Sequence, residues 1–328
     1  MPFLVYVEQR DGRIPKPCRQ ALSEGRRMAD ARGESLAACI MGNRVSDLAD
    51  AIFEYGVDDL FLHEHESLAR YETEPHAALL SDIQKKTGAT VVLMGQTSMT
   101  RDLAPRVAER LEAGLVTDCT GMSWDDQGLL YLRPLYAGKV TARLRLRTPI
   151  QMVLLRPNIF PPGKKAGAGR MHRVAAEPPP ARAKVVDIVW QQRDRPELTD
   201  AEIIVSGGRG LGKAEGFQLI EELAGLLGAA VGASRAAVDA GWQGQPQQVG
   251  QTGKVVTPNL YVACGISGSV QHMAGMGTSR CIMAVNKDPE ANIMKVADLS
   301  IQGDLYQVLP ALIRGIEEKN SSGHDRSL

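Results

Sequence analysis

The first third of the chain alternates short apolar runs with longer amphipathic stretches. The apolar runs are "FLVYVE", "LAACIMG", "DLFLH" and "ATVVLMG", and each is too short for a stable helix. Between them, apolar residues recur at helical spacing, with charges on the opposite face, over residues 18–32, 45–55, 75–87 and 104–113. Strands that alternate with helices predict a mostly parallel sheet covered by helices on both faces.

The pattern changes from residue 129. The stretch "LLYLRPLYAGKVTARLRLRTPIQMVLLRP" has no helical spacing, and its turn-like Ala137-Gly138 predicts one or two antiparallel strands added to the sheet. "PPGKKAGAG" and "AEPPPARA" are typical of loops. "KVVDIVW" then predicts a last strand of the first domain. The polar "QQRDRPELTD" breaks the apolar pattern, so we expect domains at 1–192 and 193–328, with the boundary near Arg193.

The second half repeats the alternation of strands and helices. "AEIIVSGG", "GAAVGA", "LYVACGIS", "CIMAVN" and "ADLSIQGD" predict strands, and residues 213–227, 234–240, 270–275 and 305–318 predict helices. Ligands of open parallel sheets bind beyond the carboxyl ends of the strands. The glycine-rich segments of this half follow the strands, which predicts a ligand site at that edge.

Composition and charge limit the classes of function. The chain has 328 residues, 44% apolar and 23% charged, as expected for a globular protein of two domains. Its 38 basic and 38 acidic residues leave no net charge to attract nucleic acid or an acidic membrane surface. No apolar run approaches the roughly 20 residues that span a bilayer. The start lacks signal-peptide features, and five scattered cysteines without CxxC favour reduced thiols. We therefore expect a cytoplasmic protein without membrane insertion.

Polar residues follow five consecutive strands of the second half. Arg235, just after the expected N-cap Ser234, opposes the helix dipole and needs a negative partner, either Asp239 one turn away or a ligand. His272 alone is more often structural than catalytic. Asn286 fits an Asx turn, and Asp304 fits a helix N-cap. Each residue has a structural explanation, but polar groups at all five strand ends favour a shared ligand.

Two other kinds of site are weaker. From Gly207, "GGRGLGK" meets the GxxxxGK pattern of a nucleotide-hydrolysing P-loop, but Ala214 replaces the hydroxyl residue that would bind magnesium. A nucleotide-binding regulator therefore remains an alternative. "HEHE" at 63–66 lacks the spacing of a metal site and predicts a solvated turn.

Six ordered blocks resemble the alpha subunit of electron transfer flavoprotein: "SGGRG", "VGASRAAVDAGW", "QVGQTGK", "LYVACGISGSVQHMAGM", "NKDPEANIMKVADL" and "GDLYQVLP". The likeness is dense from about residue 203 to 312 and looser over the rest. It implies an N-terminal α/β domain similar to adenine nucleotide hydrolases, followed by a flavodoxin- or Rossmann-like FAD-binding domain.

The resemblance also implies which residues contact FAD. Thr252 would reach toward the flavin N5, Arg235 would lie over the ring and His272 would approach its O2 edge, so these three would tune the redox chemistry. A guanidinium about 4 Å from the added electron stabilises it by about 4 kcal/mol at an effective dielectric near 20, so Arg235 would dominate. The implied cofactor-binding set is Arg209, Ser234, Arg235, Val249, Gly250, Gln251, Thr252, Ser267, Gly268, Ser269, Val270, Gln271, His272, Asn286, Asp304 and Leu305. Asn286, Asp304 and Leu305 would hold its adenosine end.

Partners follow from the same resemblance. Such subunits pair with a beta subunit, which would hold AMP or a second FAD. They take electrons from acyl-CoA or related dehydrogenases, as in fatty acid β-oxidation, and pass them singly to a quinone-linked oxidoreductase or another acceptor, without substrate turnover of their own. An electron-bifurcating relative stays an open alternative.

Overall fold

The computed structural model describes residues 2–136, 138, 140–167, 169–189 and 196–323. The chain divides into two compact units, one of Met1–Leu135 with Thr141–Trp190 and one of Tyr136–Val140 with Gln191–Leu328. The expected boundary near Arg193 falls outside the described residues. The prediction of two α/β domains built on parallel sheets is confirmed.

The first 173 residues form ten strands and four α-helices among the described positions. In chain order they are β1 (Phe3–Val7), α1 (Lys16–Asp30), β2 (Leu36–Gly42), α2 (Ala49–Phe53), β3 (Asp59–Glu64), α3 (Thr73–Thr87), β4 (Val91–Gly95), α4 (Ser98–Arg110), β5 (Gly114–Cys119), β6 (Gly121–Asp125), β7 (Gly128–Leu135), β8 (Val140–Leu144), β9 (Gln151–Leu155) and β10 (Arg170–Arg173). The four apolar runs found in the sequence are β1 to β4. Their continuous apolar character is explained by burial on both faces.

A seven-stranded sheet in the order β10-β3-β2-β1-β4-β9-β5 organises this unit, and its pairs are all parallel. The expected antiparallel strands exist, but β6, β7 and β8 form a separate three-stranded sheet rather than extending the first. The pairing of β5 with β9 shifts register between Val116 and Cys119, and Asp118 lies there at φ 62°. Such a bulge bends a strand, and the chain leaves the parallel sheet at this point.

The prediction of a strand at "KVVDIVW" is wrong. Residues 184–189 carry no strand, and Val186 and Val189 are 87% and 83% exposed, while Trp190 lies outside the described residues. The position beside β3 is taken by β10, although "RMHR" is a polar sequence. His172 of β10 stacks on Phe61 of β3 and bonds the Asp59 carboxylate at 2.7 Å. These cross-strand contacts, rather than apolar character, define the edge strand.

The prediction that "HEHE" at 63–66 is a solvated turn is wrong for its first two residues. His63 is 1% exposed and lies with Glu64 in β3. The Glu64 carboxylate accepts from the backbone N–H groups of Val45 and Ser46, which is the main reason why its pKa is lowered to about 2. Glu64 therefore stabilises the connection that follows β2.

The C-terminal unit repeats the strand–helix alternation on a five-stranded sheet. Its elements are β11 (Ile203–Gly207), α5 (Phe217–Leu226), β12 (Ala230–Ala233), α6 (Arg235–Asp239), β13 (Leu260–Cys264), α7 (Val270–Met276), β14 (Ile282–Asn286), α8 (Asn292–Val296), β15 (Leu299–Gln302) and α9 (Leu305–Gly323). The order β12-β11-β13-β14-β15, with parallel pairs, is the flavodoxin-like order 2-1-3-4-5. The chain reverses its direction across the sheet between β11 and β13, where such folds bind ligands.

Candidate functional site

A cleft of about 640 Å³ lies at the carboxyl edge of the C-terminal sheet. Its size is in the range of 300–1,000 Å³ typical of ligand sites. Twelve of the predicted cofactor contacts line it: Arg209, Ser234, Arg235, Val249, Gly250, Gln251, Thr252, Ser267, Ser269, Gln271, His272 and Asn286. The fold therefore gathers residues that are up to 77 positions apart (209 to 286) around one space.

Glycines after β11 let two loops approach backbone to backbone. A Cβ on Gly208 would lie 2.3 Å from the Gly265 carbonyl oxygen, and one on Gly210 would lie 2.7 Å from the Gly265 Cα. The Gly208 and Gly210 N–H groups donate to the carbonyls of Cys264 and Gly265, both at 2.9 Å. The Leu211 and Gly212 N–H groups also bond within the loop. These amides are already paired, which contradicts a P-loop cradle at Gly207–Lys213.

Ser234 and Arg235 begin α6 at the end of β12. The Ser234 hydroxyl accepts from the Ala237 N–H at 3.4 Å, as an N-cap does. Arg235 is 67% exposed and its Nε lies 3.3 Å from the Asp239 carboxylate, so the acidic neighbour expected from the sequence does partner it. Arg209 makes no ion pair within the part of the chain that the structure describes. The cleft thus has one paired and one unpaired guanidinium.

The loop at Val249–Lys254 closes another side of the cleft. Gly250 has φ 147°, and the Gln251 N–H donates to the Gln271 carbonyl at 2.8 Å. A Cβ on Gly275 would meet the Gly250 backbone at 2.4 Å, so glycine is required where α7 packs on this loop. The exposed Thr252 hydroxyl accepts from the Gln248 side-chain amide at 3.0 Å. Its own proton stays available for a ligand.

The turn between β13 and α7 offers backbone donors. Gly268 has φ 76°, and a Cβ there would lie 2.3 Å from the Ile293 backbone nitrogen. Ser269 caps α7 by accepting from the His272 N–H at 3.3 Å. Among the described residues, the N–H groups of Ser267 and Gly268 have no hydrogen-bond acceptor. The exposed Ser267 and Ser269, which line the cleft, suit the oxygens of a phosphate-containing ligand.

His272 is a buried polar residue of the cleft. It is 5% exposed, and its Nε2 lies 2.9 Å from the Tyr261 hydroxyl. Burial lowers the pKa of His272 to about 4, against the smaller opposing effect of a hydrogen bond to the Val249 backbone, so the ring is neutral at neutral pH. Its Nδ1 is buried and makes no hydrogen bond of strict geometry within the described chain. The Tyr261 hydroxyl and the Val249 backbone therefore hold the neutral His272 ring at the wall of the cleft.

Four predicted contacts are not among the lining residues. Gly268 lies in the turn just described, Val270 is the first residue of α7, and Leu305 is 2% exposed and packs beside Gly265. Asp304 accepts from the Tyr306 N–H at 2.9 Å, as an N-cap of α9, and pairs with Lys287 at 2.8 Å. That ion pair is the main reason why the pKa of Asp304 is lowered. Their role as cofactor contacts stays a prediction.

Asn286 combines a structural role with a place in the cleft. Its amide donates to the Ile266 carbonyl at 2.9 Å, and its oxygen accepts from the Asp288 N–H at 3.1 Å. The Asx turn expected from the sequence is therefore present. Further lining residues were not singled out as contacts: Gly210, Ala236, Asp239, Gln248, Gly265, Ile266, Asp288 and Ala291. Adjacency to the predicted residues was the signal available for them.

The residues present fit a dinucleotide cofactor with a polar ring system. The Arg209 guanidinium and the amides that have no acceptor among the described residues match phosphate oxygens, whereas Arg235, Thr252 and the His272 ring match the polar edge of a heterocycle. The described residues contain no group of three or more His, Cys, Asp or Glu that could hold a metal ion. No helix among those residues is long and apolar enough to cross a membrane.

Comparison with known proteins identifies the class that fits this cleft. Residues 197–277 match the family model described as "Electron transfer flavoprotein FAD-binding domain", and residues 3–186 match "Electron transfer flavoprotein domain". The class is therefore that of an electron-carrying flavoprotein, and the cofactor that the cleft fits is a flavin.

Curated relatives narrow this class to one subunit. The electron transfer flavoprotein subunit alpha of Thermoanaerobacterium thermosaccharolyticum is 41% identical, covering 96% of this chain and 97% of that protein. The same subunit of Bacillus subtilis is 38% identical over 97% and 98% of the two chains. The acryloyl-CoA reductase electron transfer subunit beta of Anaerotignum propionicum is 36% identical over 96% and 95%. The chain belongs to the electron transfer flavoprotein alpha-subunit family.

Proposed function

We propose that this chain is the FAD-carrying half of a heterodimer that accepts electrons from acyl-CoA or related dehydrogenases. It passes them one at a time to a quinone-linked oxidoreductase or another acceptor. The observation that carries the proposal is the cleft at the carboxyl edge of the C-terminal sheet, with Arg209, Arg235 and the buried His272 in its walls. A relative named for acryloyl-CoA reductase supports an acyl-CoA-linked redox partner.

The bound flavin supplies the redox chemistry, because it accepts an electron pair and releases single electrons. The chain's own residues bind it and set its environment. Arg209, Ser267 and Ser269 would hold the phosphates, since they offer a free guanidinium and short donors. Asn286 would orient the adenosine end. Asp304 and Leu305 are proposed as its further neighbours, on the strength of the family resemblance.

Charge at the ring end would come from Arg235. A guanidinium favours whichever oxidation state carries more negative charge, so it raises the reduction potential. Asp239 opposes this effect because it partly neutralises Arg235. Thr252 and His272 would donate hydrogen bonds to the ring, and His272 can do so as a neutral donor because burial keeps it unprotonated.

The partner is proposed to be a beta subunit, since the curated relatives are themselves named as subunits. That subunit would hold AMP or a second FAD. No observation in this chain favours electron bifurcation over simple transfer, so bifurcation stays the alternative outcome of a cofactor count.

Electron uptake tests the proposal directly. The co-purified complex should be yellow, and substrate-reduced acyl-CoA dehydrogenase should bleach its flavin absorbance in a stopped-flow experiment. Arg209→Ala should weaken FAD binding, whereas Lys213→Ala, at a neighbouring cation outside the cleft lining, should not. A colourless complex that hydrolyses ATP would instead support a nucleotide-binding regulator.

A further inference from the structure

The loop of residues 209–216, between β11 and α5, carries Arg209 at the wall of the cleft. It consists mainly of two single 3₁₀ turns, Arg209–Leu211 and Ala214–Gly216. Such turns have poor hydrogen-bond geometry and little stability of their own. Because the Arg209 side chain is exposed, its position depends on the backbone that carries it. Whatever fixes this loop therefore also fixes the guanidinium.

Tyr306 fastens the loop of residues 209–216 from the side of α9. It is the second residue of that helix, and its N–H donates to the capping Asp304 carboxylate. The Tyr306 hydroxyl donates to the Leu211 carbonyl at 2.7 Å. A carbonyl can only accept, so the direction of this hydrogen bond is fixed. No other donor among the described residues bonds the Leu211 carbonyl.

The first turn of α9 thus contacts two loops that form the cleft. A Cβ on Gly216 would lie 2.8 Å from the Tyr306 hydroxyl oxygen, so the tyrosine fits closely against the end of the loop. A Cβ on Gly265 would lie 2.8 Å from the Leu305 side chain. Gly210 and Gly265 line the cleft, whereas Tyr306 does not. Any effect of Tyr306 on a ligand therefore passes through the loop.

We propose that Tyr306 is a positioning residue, which holds the loop of residues 209–216 so that Arg209 is ready for a phosphate of the bound cofactor. The cofactor half of this inference rests on the proposed FAD function, whereas the loop half concerns the chain alone. A loop that is already in place need not be ordered when the ligand binds. Without the hydroxyl, a smaller fraction of the protein is competent to bind, and the apparent affinity falls by that fraction.

A tyrosine that only stabilises the fold would behave differently. It would change the free energy of unfolding without a specific effect on the loop or on the cofactor. Coupling to Arg209 distinguishes the two roles. If Tyr306 acts by positioning Arg209, its hydroxyl contributes nothing to FAD affinity once the guanidinium is removed, so the two substitutions are not additive.

The experiment uses the full chain, co-purified with its partner subunit and freed of flavin. Tyr306→Phe keeps the ring, which is 44% exposed, so the fold should be retained. Hydrogen exchange of peptides covering residues 209–216 should become faster, because the N–H bonds made within the loop open more often. Titration with FAD should give an about fivefold larger dissociation constant, as expected for losing one neutral hydrogen bond. In an Arg209→Ala background, Tyr306→Phe should not change that constant further.

Tyr71→Phe is the matched control. Tyr71 is also partly exposed, and its hydroxyl donates to the Asp102 carboxylate at 2.9 Å, but it lies in the N-terminal unit. Neither the exchange of residues 209–216 nor FAD affinity should change in this variant.

Unchanged exchange of residues 209–216 in Tyr306→Phe overturns the inference. Unchanged FAD affinity, or an equal loss of affinity with and without Arg209, overturns the positioning role. If the unaltered complex fails to bind FAD, the proposed function and the cofactor half both fail, while the exchange rates still decide whether Tyr306 holds the loop.

Discussion

At the scale of single residues, the sequence could identify polar side chains but not how each is used. Ser234, Asn286 and Asp304 all make the local hydrogen bonds expected from their positions in turns and caps. The first two also line the cleft, whereas Asp304 does not. Local propensity explains the caps, but which capped residue also faces a cavity depends on packing that the sequence pattern does not encode.

Arg235 should set the reduction potential of the bound flavin. A guanidinium 4 Å from the added charge contributes at most about 170 mV, from about 4 kcal/mol at an effective dielectric near 20 and 59 mV per tenfold change. The real shift should be smaller, because Arg235 is 67% exposed and paired with Asp239. We therefore expect Arg235→Ala to lower the first potential, measured by dithionite titration with redox dyes.

Asp239→Asn provides a control of opposite sign. It removes the neighbouring negative charge while leaving Arg235, so the first potential should rise. If the first potential shifted equally and in the same direction in both variants, or in neither, the Arg235–Asp239 pair would not influence the flavin potential.

His272 should make the protein sensitive to mild acid. Its pKa of about 4 lies below the unfolded value near 6.5, so the unfolded chain binds the proton first as pH falls. The contribution of the neutral His272 ring to the free energy of unfolding is therefore fully present above pH 6.5, and it is lost as pH falls from about 6.5 to 4. His63 and His76 act in the same direction, since burial also lowers their pKa values.

Urea unfolding at pH 7 and pH 5 measures this contribution. Between pH 7 and pH 5 the unaltered chain should lose more unfolding free energy than His272→Gln. The difference between the two losses should be about 2 kcal/mol. His65→Gln, at a partly exposed histidine, is the control. An identical pH dependence in His272→Gln would show that the buried ring does not contribute.

At the scale of elements, apolar patterning located the buried strands well and the edge strands poorly. β1 to β4 are continuous apolar runs, and all four are interior strands of the first sheet. "KVVDIVW" has the same character but forms no strand in its described part, while the polar "RMHR" forms β10. Edge strands depend on cross-strand side-chain contacts such as His172 with Asp59, and apolar periodicity does not report those contacts.

Gly268→Ala should destabilise the turn between β13 and α7. Its φ of 76° disfavours any side chain, and the new Cβ would lie 2.3 Å from the backbone nitrogen of Ile293. Because backbone cannot move aside as a side chain can, we expect a loss of about 2–3 kcal/mol in unfolding free energy and weaker FAD binding. Thermal melts and flavin titration measure the two effects.

Gly225→Ala is the matched control on α5. No heavy atom lies within 4 Å of a Cβ at Gly225, and its backbone is helical. This variant should be stabilised by about 0.5–1 kcal/mol, because alanine favours the helix. If both variants were equally stable, the tight approach of the turn to α8 would not matter energetically.

At the scale of the whole molecule, the unit bearing the seven-stranded sheet has surface features that a partner subunit would explain. Val186 and Val189 are 87% and 83% exposed in a segment without regular structure. The formal net charge is zero, so long-range attraction does not select the partner, and contact between surfaces must do so. We expect the chain to purify as a one-to-one complex when co-expressed with a beta subunit.

Cofactor counting on that complex resolves its function most sharply. One FAD and one AMP per heterodimer would support a simple carrier, whereas two FAD molecules would support the bifurcating alternative. Native mass spectrometry gives the subunit ratio, and nucleotide chromatography after denaturation gives the cofactors. The Arg209→Ala variant should lose only the FAD of this chain, because its side chain lines this cleft. A monodisperse, flavin-loaded monomer at micromolar concentration would contradict the heterodimer, since a chain that is complete alone needs no second subunit to hold its flavin.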